Sequence, residues 1–294
     1  MKDTQAKATL ALILVCLIWG TTYLVNKMGV SRVPPLFFTS VRQLVAGGII
    51  LTYTLLIKKW QAPNWQEIKQ QVLLAVLLIS IGNGVGTYGL QYIDSGLSAI
   101  IAAISPIIIA LLTLSFNPDD RLKPLGWLGT LMGFSGVLWI CFHKNTGGES
   151  TWFGVFLTIL SVLAWGVGTV LNKNKKTKTS PFVNAGIHMI IGAIPIVILS
   201  LITEDLSSVQ IPTKVYFIWA YLIFLGSIVA YSSYIFALKY LPATVVSIQS
   251  YVNPIIAVIL GAIVLKEQLS FSIAIACFIT LIGIFLVNIS IFRK

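Results

Sequence analysis

The 294-residue chain is 57% hydrophobic and only 10% charged, with a mean hydropathy of +0.92. Soluble globular proteins carry about 25% charged residues, so the composition excludes a water-soluble domain and predicts an integral membrane protein. The formal net charge of +11 does not indicate a nucleic-acid partner, because the basic residues lie between the apolar runs, where they set membrane topology. No cofactor or metal is expected, since the three cysteines are isolated in apolar segments and no glycine-rich phosphate loop is present.

Ten apolar runs are long enough to cross a bilayer. In chain order they are Ala8–Met28, Leu36–Ile57, Val72–Leu90, Leu97–Phe116, Leu125–Phe142, Trp152–Leu171, Phe182–Leu201, Val215–Leu238, Val245–Leu265 and Phe271–Phe292. Each is predicted to be a helix, because lipid offers no partner to an unpaired backbone group. The connections are short and the first run is followed by no small-residue cleavage pattern, so the expected fold class is an all-α integral membrane bundle.

The distribution of lysine and arginine predicts that both termini are cytoplasmic. With the N-terminus inside, fourteen basic residues fall in inside segments and five in outside segments, as the positive-inside rule requires. We therefore expect a multi-pass protein of the plasma membrane, such as a bacterial inner membrane. Tryptophans near the ends of the predicted helices are interpreted as interfacial anchors: Trp60, Trp65, Trp127, Trp152 and Trp219.

The chain contains an internal repeat at a shift of 146 to 148 positions. The matches that are least expected by chance are Trp19 with Trp165, Asn26-Lys27 with Asn172-Lys173, Tyr92 with Tyr240 and Pro106 with Pro254. Ten helices in two halves, 1–146 and 147–294, give five per half, and an odd number inverts the second half relative to the first. Inverted repeats around a central cavity are typical of secondary transporters, and a proline within a span, such as Pro254, is predicted to kink its helix beside a cavity.

These features resemble the drug/metabolite transporter superfamily in its ten-helix EamA-type branch. The resemblance rests on Trp19-Gly20 echoed by Ala164-Trp165-Gly166, on Ala99–Leu112 with Pro106 echoed by Ser247–Leu260 with Pro254, and on acidic residues after those helices, Asp119 or Asp120 and Glu267. The turns Pro118-Asp119-Asp120 and Leu265-Lys266-Glu267 depart from the Gly-Glu usual in the family. The resemblance implies a transporter rather than an enzyme, for substrates that range over amino acids, nucleotide precursors, other metabolites and drugs.

Two ionisable residues lie within predicted helices at the same repeat position, Arg42 and His188. Each lies about 9 Å into its helix at 1.5 Å per residue. Arg42 is a candidate contact for an anionic group such as a substrate carboxylate; the alternative is a snorkelling arginine or one bonded to backbone carbonyls. His188 is a candidate proton or substrate contact, and the alternative is a packed, hydrogen-bonded histidine.

The other candidate substrate-binding residues are aromatic or polar side chains near the middle of the predicted spans. They are Trp19, Tyr23, Asn83, Tyr88, Trp165, Tyr231, Tyr234, Gln249 and Asn253. For each of them, packing within the bundle is the alternative. Gly82 and Gly86 form a small-xxx-small pair that favours close helix packing.

The predicted function is secondary transport by alternating access, with export as the expected direction. The expected substrate is a small zwitterion or anion with an apolar part, such as an amino acid. Alternatives are a drug or nucleotide-precursor transporter of the same fold, or a membrane-embedded enzyme, for which the two histidines form no catalytic cluster. The duplication removes the need to dimerise, so a monomer is expected to suffice, and the coupling ion stays open.

Overall fold

A computed structural model describes residues 2–57, 63–116, 123–143, 149–174, 178–247, 249–266 and 271–292. Within these residues the chain forms ten helical spans and no strand, which confirms the predicted all-α fold. They are α1 (Lys2–Val30), α2 (Pro35–Leu56), α3 (Trp65–Gly89), α4 (95–116), α5 (Pro124–His143), α6 (Glu149–Asn174), α7 (Pro181–Thr203), α8 (Thr213–Tyr240), α9 (243–265) and α10 (Phe271–Phe292). Seven helices in the described ranges are long and apolar enough to cross a membrane, and α9 and α10 contribute shorter apolar segments.

Helix α3 begins earlier than its hydropathy predicts. The predicted run begins at Val72, whereas the helix begins at Trp65. The Asn64 side chain accepts a hydrogen bond from the Glu67 backbone N–H at 2.9 Å, and the Glu67 carboxylate accepts one from the Asn64 N–H at 2.9 Å. This capping box starts the helix on polar residues that a hydropathy window does not count, and it brings Gln71 into the bundle.

Because the spans alternate in direction, both chain ends lie at one side of the bundle, here called the N-terminal face. Helices α1, α3, α7 and α9 begin there, whereas α2, α4, α6 and α8 begin at the opposite face. The placement of the N-terminal face in the cytoplasm stays a prediction.

The two halves interleave. Helix α2 packs along α7 and α5 along α10, while α1 lies against α8 and α9, and α6 lies against α3 and α4. Helices α2 and α7, like α5 and α10, lie at matching positions of the sequence repeat. The division of the chain into two inverted repeats stays a prediction. The predicted division between residues 146 and 147 lies outside the described residues, as do Trp60, Asp119, Asp120 and Glu267.

Two lysines at the same repeat position make the same contact on opposite faces. Lys27 Nζ donates hydrogen bonds to the carbonyls of Leu90 at 2.6 Å and Ile93 at 2.8 Å. Lys173 Nζ donates to the carbonyl of Leu238 at 3.0 Å. Each lysine therefore satisfies carbonyls at the C-terminal end of α3 or α8, which have no partner within their own helix.

Both α3 and α8 contain a π-helical stretch, Val76–Val85 and Leu222–Val229. The two stretches start 146 positions apart, within two positions of the shift of 148 that relates Tyr92 to Tyr240 at the ends of these helices. In a π-helix the backbone bonds run from i to i+5, and such segments are frequent at functional sites. Apolar periodicity gives no signal for them.

The two repeat-related prolines have different surroundings. Helix α4 is interrupted between Ala102 and Ser105, directly before Pro106. In α9 the helical stretch Gln249–Leu265 continues through Pro254. Both spans are therefore interrupted, α4 directly before Pro106 and α9 after Val246. Pro106 lies in the first turn of the segment that follows its break and needs no N–H donor there.

The predicted interfacial anchors divide into two groups. Trp65, Trp127 and Trp152 are 68%, 53% and 49% exposed, as an anchor in the membrane interface requires. Trp219 corrects the prediction, since it is 6% exposed and stacks on Phe38 with ring centroids 5.7 Å apart. Its indole N–H donates to the Phe38 carbonyl at 2.9 Å, so it is a packing residue between α8 and α2.

Glu204, directly after α7, caps the start of α2. Its carboxylate accepts hydrogen bonds from the backbone N–H groups of Leu36 and Phe37, both at 2.8 Å, and from the Ser200 hydroxyl at 2.7 Å. We expect Glu204→Ala to lower the free energy of unfolding by about 1–2 kcal/mol, because it leaves donors at a helix N-terminus without a partner. Thermal melting of the purified protein in detergent measures this effect.

The neighbouring Asp205 provides the control. It accepts hydrogen bonds from the backbone N–H of Ser207 at 3.0 Å and from the Ser207 hydroxyl at 2.6 Å, within one exposed loop. These bonds hold the pKa of Asp205 below its usual value. Asp205→Ala is expected to leave the midpoint of thermal unfolding nearly unchanged, because its bonds stay within one exposed loop. Equal losses in the two variants would contradict a role for Glu204 between α7 and α2.

Candidate functional site

A cavity lies between the two halves, with about 140 Å³ accessible to the centre of a water molecule. A single water needs roughly 10–15 Å³ by this measure, so the cavity is large enough for a small organic molecule. Its wall is built from α1, α2, α3, α4, α6 and α9. The polar and aromatic residues that line it are Trp19, Thr22, Tyr23, Asn26, Arg42, Asn83, Thr87, Ser98, Ser105, Thr158, Ser161, Trp165, Gln249, Ser250 and Asn253.

The cavity extends from the middle of the bundle towards the opposite face. Helices α1 and α3, which end at that face, contribute their C-terminal halves, and α2 and α4, which begin there, contribute their N-terminal halves. Leu90, the last residue of the lining on α3, directly follows the end of its helix. The residues of α1 to α4 therefore place much of the cavity wall in the half of the bundle nearer the opposite face, and α9 lines the cavity with the first half of its span.

Arg42 places a positive charge in the cavity wall. It is 3% exposed, its Nε donates to the Ser227 hydroxyl at 2.9 Å, and its Nη1 donates to Asn26 Oδ1 at 3.1 Å. A guanidinium carries five N–H donors, so three of them have no acceptor among the described residues. Both partners are neutral, which leaves the charge available to an anionic group that enters the cavity.

Asn83 lies on the π-helical stretch of α3 and also lines the cavity. Its Oδ1 accepts a hydrogen bond from Gln43 Nε2 at 3.0 Å. Gln43 is 1% exposed, and its Oε1 has no partner among the described residues. A buried amide oxygen without a partner is costly, so a water molecule or ligand atom beside Gln43 would be stabilised.

Three aromatic side chains pack together at the middle of the bundle and are here called the tryptophan floor: Trp19 and Trp165, which line the cavity, and Tyr234, which packs against them. The ring centroids of Trp19 and Trp165 are 5.4 Å apart in an edge-to-face arrangement, and Tyr234 lies 5.1 and 5.2 Å from them. The Trp19 indole N–H donates to the Gly226 carbonyl at 3.0 Å, within the π-helical stretch of α8. The tryptophan floor separates the cavity from the residues nearer the N-terminal face.

Helix α3 packs closely on α6 at its small-residue face. A Cβ atom added to Gly82 would lie 3.0 Å from the Trp165 ring, and one added to Gly86 would lie 2.9 Å from the Ser161 hydroxyl. Both glycines also line the cavity. The absence of a side chain at these two glycines therefore lets α3 and α6 approach closely. It also keeps the adjoining part of the cavity free of side-chain atoms.

Seven of the eleven predicted site residues lie in the cavity wall: Trp19, Tyr23, Arg42, Asn83, Trp165, Gln249 and Asn253. Tyr88 lies outside it and pairs with Tyr92 through their hydroxyls at 3.3 Å. Tyr231 and His188 lie beneath the tryptophan floor. Tyr234 belongs to the floor, where it packs on Trp165, but it does not line the cavity. The role of all eleven in substrate binding stays a prediction.

The sequence reasoning missed the small polar residues of the wall. They are Thr22, Asn26, Thr87, Ser98, Ser105, Thr158, Ser161 and Ser250. Asn26 had a usable signal, because it belongs to the repeated pair Asn26-Lys27 and Asn172-Lys173. The serines and threonines had none, since such residues are also common in helix packing between membrane spans. Within the described ranges, no group of three or more His, Cys, Asp or Glu side chains could hold a metal ion.

Comparison with known proteins decides the family. A family model described as the EamA-like transporter family matches residues 6–142 and 152–289. The chain belongs to the EamA-like transporter family. It is therefore a multi-pass membrane transporter, as the resemblance in the sequence implies.

Relatives of this EamA-like chain include two bacterial transporters. YedA, an uncharacterized inner membrane transporter of Escherichia coli K12, is 28% identical over 261 residues, which cover 88% of this chain and 83% of YedA. YoaV, an uncharacterized transporter of Bacillus subtilis, is 26% identical over 295 residues, 99% of each chain. A solved crystal structure with 18% sequence identity superposes with a TM-score of 0.74 over 99% of this chain and 100% of the other, which shows a shared fold.

Proposed function

We propose that this EamA-like transporter carries a small carboxylate-bearing metabolite with an apolar part, such as an amino acid, by alternating access. The observation that carries the proposal is Arg42, a buried cation in the cavity wall with neutral partners. A positive charge is costly at membrane depth, and a substrate anion offsets that cost. The same charge disfavours a cationic drug in this cavity.

The rest of the wall suits the other parts of such a substrate. Trp19 and Trp165 present an apolar, aromatic surface at the tryptophan floor. The amides of Gln249 and Asn253, 5% and 6% exposed, lie in the wall on the α9 side. With its nitrogen oriented towards them, the Asn253 amide donates to the carbonyls of Cys16 and Gln249 at 3.1 Å, and the amide oxygen remains as an acceptor. An amino acid would match this wall in three places. Its carboxylate would bind Arg42, its ammonium would donate to an amide oxygen of α9, and its apolar side chain would pack on the tryptophan rings.

Counterflow in proteoliposomes that contain the purified transporter tests the proposal. We expect saturable uptake of a labelled amino acid into vesicles preloaded with the same unlabelled compound, in preference to cationic amines of similar size. Parallel assays with and without a pH gradient measure proton coupling, and net flux in oriented membrane vesicles tests export. Uptake of cationic drugs alone, or no exchange by any carboxylate of the panel, would contradict the proposed substrate class.

A further inference from the structure

Beneath the tryptophan floor, four buried polar side chains close the route to the N-terminal face. This His188 cluster consists of Gln71 on α3, Asn184 and His188 on α7, and Tyr231 on α8. Their exposed fractions are 1%, 5%, 0% and 3%. His188 lies seven residues, about 10 Å, from the start of its helix at that face. None of the four side chains lines the cavity, and the Tyr231 ring packs against the Trp165 ring of the floor with centroids 6.1 Å apart.

Hydrogen bonds join the His188 cluster across three helices. His188 Nδ1 pairs with the Tyr231 hydroxyl at 3.0 Å, and His188 Nε2 pairs with Gln71 Oε1. The amide oxygen of Gln71 can only accept, so this pairing corresponds to the tautomer in which Nε2 donates to Gln71. Gln71 Nε2 donates in turn to Asn184 Oδ1 at 3.3 Å. An opening of this half of the bundle has to break these bonds.

The repeat relates the His188 cluster to the open cavity. His188 follows Arg42 by 146 positions, and Tyr231 follows Asn83 by 148 positions. Arg42 and Asn83 both line the cavity. In the second half of the chain, His188 and Tyr231 of the cluster thus occupy the repeat positions of Arg42 and Asn83, which line the cavity in the first half.

The tryptophan floor lies between the cavity and the His188 cluster. Trp19 and Trp165 are repeat counterparts, and their rings are in contact. Two symmetry-related residues touch only near the axis that relates them. One surface therefore separates the open half of the pathway from the closed half.

All four side chains of the His188 cluster are polar, although apolar ones could fill the same space. Apolar side chains of similar volume close a buried interface at least as well as polar ones, because buried polar groups lose their hydration. Polar side chains are favoured where the same surface is exposed to water or to a ligand in another state. The cluster has the hydrogen-bonding groups that such a surface needs.

We propose that the His188 cluster is a second binding half-site, closed in this conformation and open to the N-terminal face in the other state of the transport cycle. It would take the polar group of the same small carboxylate-bearing substrate through an imidazole, a phenol and two amides, without the guanidinium of Arg42. The inference rests on the proposed function, since it assigns the other end of the same transport route.

Cysteine reactivity towards a membrane-impermeant maleimide tests this half-site. The reporters are Thr87→Cys, in the cavity wall, and Ile235→Cys at the matching repeat position, where the native side chain is 3% exposed. Both are made in a variant whose three native cysteines are replaced by alanine. A C-terminal tag that is accessible to antibody identifies vesicles in which the N-terminal face is outside. We expect the Ile235→Cys thiol to react from the tag side and the Thr87→Cys thiol from the other side.

A change in the cluster is expected to shift the balance between the states. Gln71→Leu removes the hydrogen bonds to His188 and Asn184, so the reaction of Ile235→Cys from the tag side is expected to rise about tenfold while that of Thr87→Cys falls. Gln70→Leu is the matched control, because Gln70 Nε2 has no partner among the described residues and lies outside the cluster.

If Gln71→Leu does not fold, the Ile235→Cys reporter in a protein with an unchanged His188 cluster still tests the proposal. An Ile235→Cys thiol that stays unreactive from both sides, or that reacts only from the side without the tag, would overturn it. This assay needs no transported ligand. Failure of counterflow would therefore contradict the proposed substrate class separately, and the labelling would still judge the half-site.

Discussion

Arg42→Ala is expected to raise the half-saturation concentration of a carboxylate substrate in counterflow by roughly 10- to 150-fold. A charge-assisted hydrogen bond contributes about 1.5–3 kcal/mol, and each 1.4 kcal/mol is tenfold in affinity. Arg42→Lys is expected to fall between the wild type and Arg42→Ala, because an ammonium keeps the charge but loses the planar fork that binds a carboxylate through two bonds. Initial rates of counterflow over a range of substrate concentrations measure both variants.

Arg32→Ala is the matched control for the loss of an arginine. Arg32 is exposed at the opposite face and donates to the Met28 carbonyl at 2.5 Å and to the Ser31 hydroxyl at 3.2 Å, away from the cavity. Its half-saturation concentration is expected to equal that of the wild type. Thermal melting separates a binding defect from misfolding. Wild-type kinetics in a well-folded Arg42→Ala protein would show that the guanidinium only supports Asn26 and Ser227.

Gly283→Ala is expected to destabilise the protein by about 1–3 kcal/mol. Gly283 lies where α10 crosses α5, and a Cβ atom there would meet the backbone N of Gly133, its Cα at 2.8 Å and the carbonyl oxygen of Gly129 at 2.5 Å. All three are backbone atoms, which cannot rotate away as a side chain does. The two helices would have to separate, and the contact between them would be lost along their length. The midpoint of thermal unfolding in detergent and the yield of folded protein measure the effect.

Gly48→Ala is the opposite case in the same bundle. Beyond its chain neighbours and the nearby backbone of its own helix, a Cβ atom at Gly48 would have no heavy atom within 4 Å among the described residues. Alanine favours a helix over glycine by up to about 1 kcal/mol, so this variant is expected to be as stable as the wild type or slightly more stable. Equal destabilisation by the two substitutions would show that α5 and α10 are not packed backbone to backbone.

Hydropathy and the repeat predicted the fold because both depend on local properties. Each span needs only about 20 apolar residues, and the match of Trp19 with Trp165 needs no knowledge of contacts. The polar start of α3 was missed for the same reason, since the capping box at Asn64 and Glu67 falls outside an apolar window. Gln71 was left out of the predicted bundle with it.

The candidate site was predicted only in part, because a repeat cannot tell an open half from a closed one. Arg42 and His188 are equivalent in sequence, yet Arg42 lines the cavity and His188 is sealed beneath the tryptophan floor. The serines and threonines of the wall were missed because their exposure to the cavity depends on how six helices pack around it.

The amino-acid sequence by itself determined an all-helical membrane fold of ten spans, because each apolar run has the length that a bilayer requires of a helix and lipid offers no partner to an unpaired backbone group. It also placed one arginine and one histidine at matching depths. Only the tertiary structure decided which of them faces a cavity, and that Lys27 and Lys173 satisfy helix-end carbonyls on opposite faces. The physical reason is that these outcomes depend on contacts between residues more than 60 positions apart, which local patterns of hydropathy do not encode.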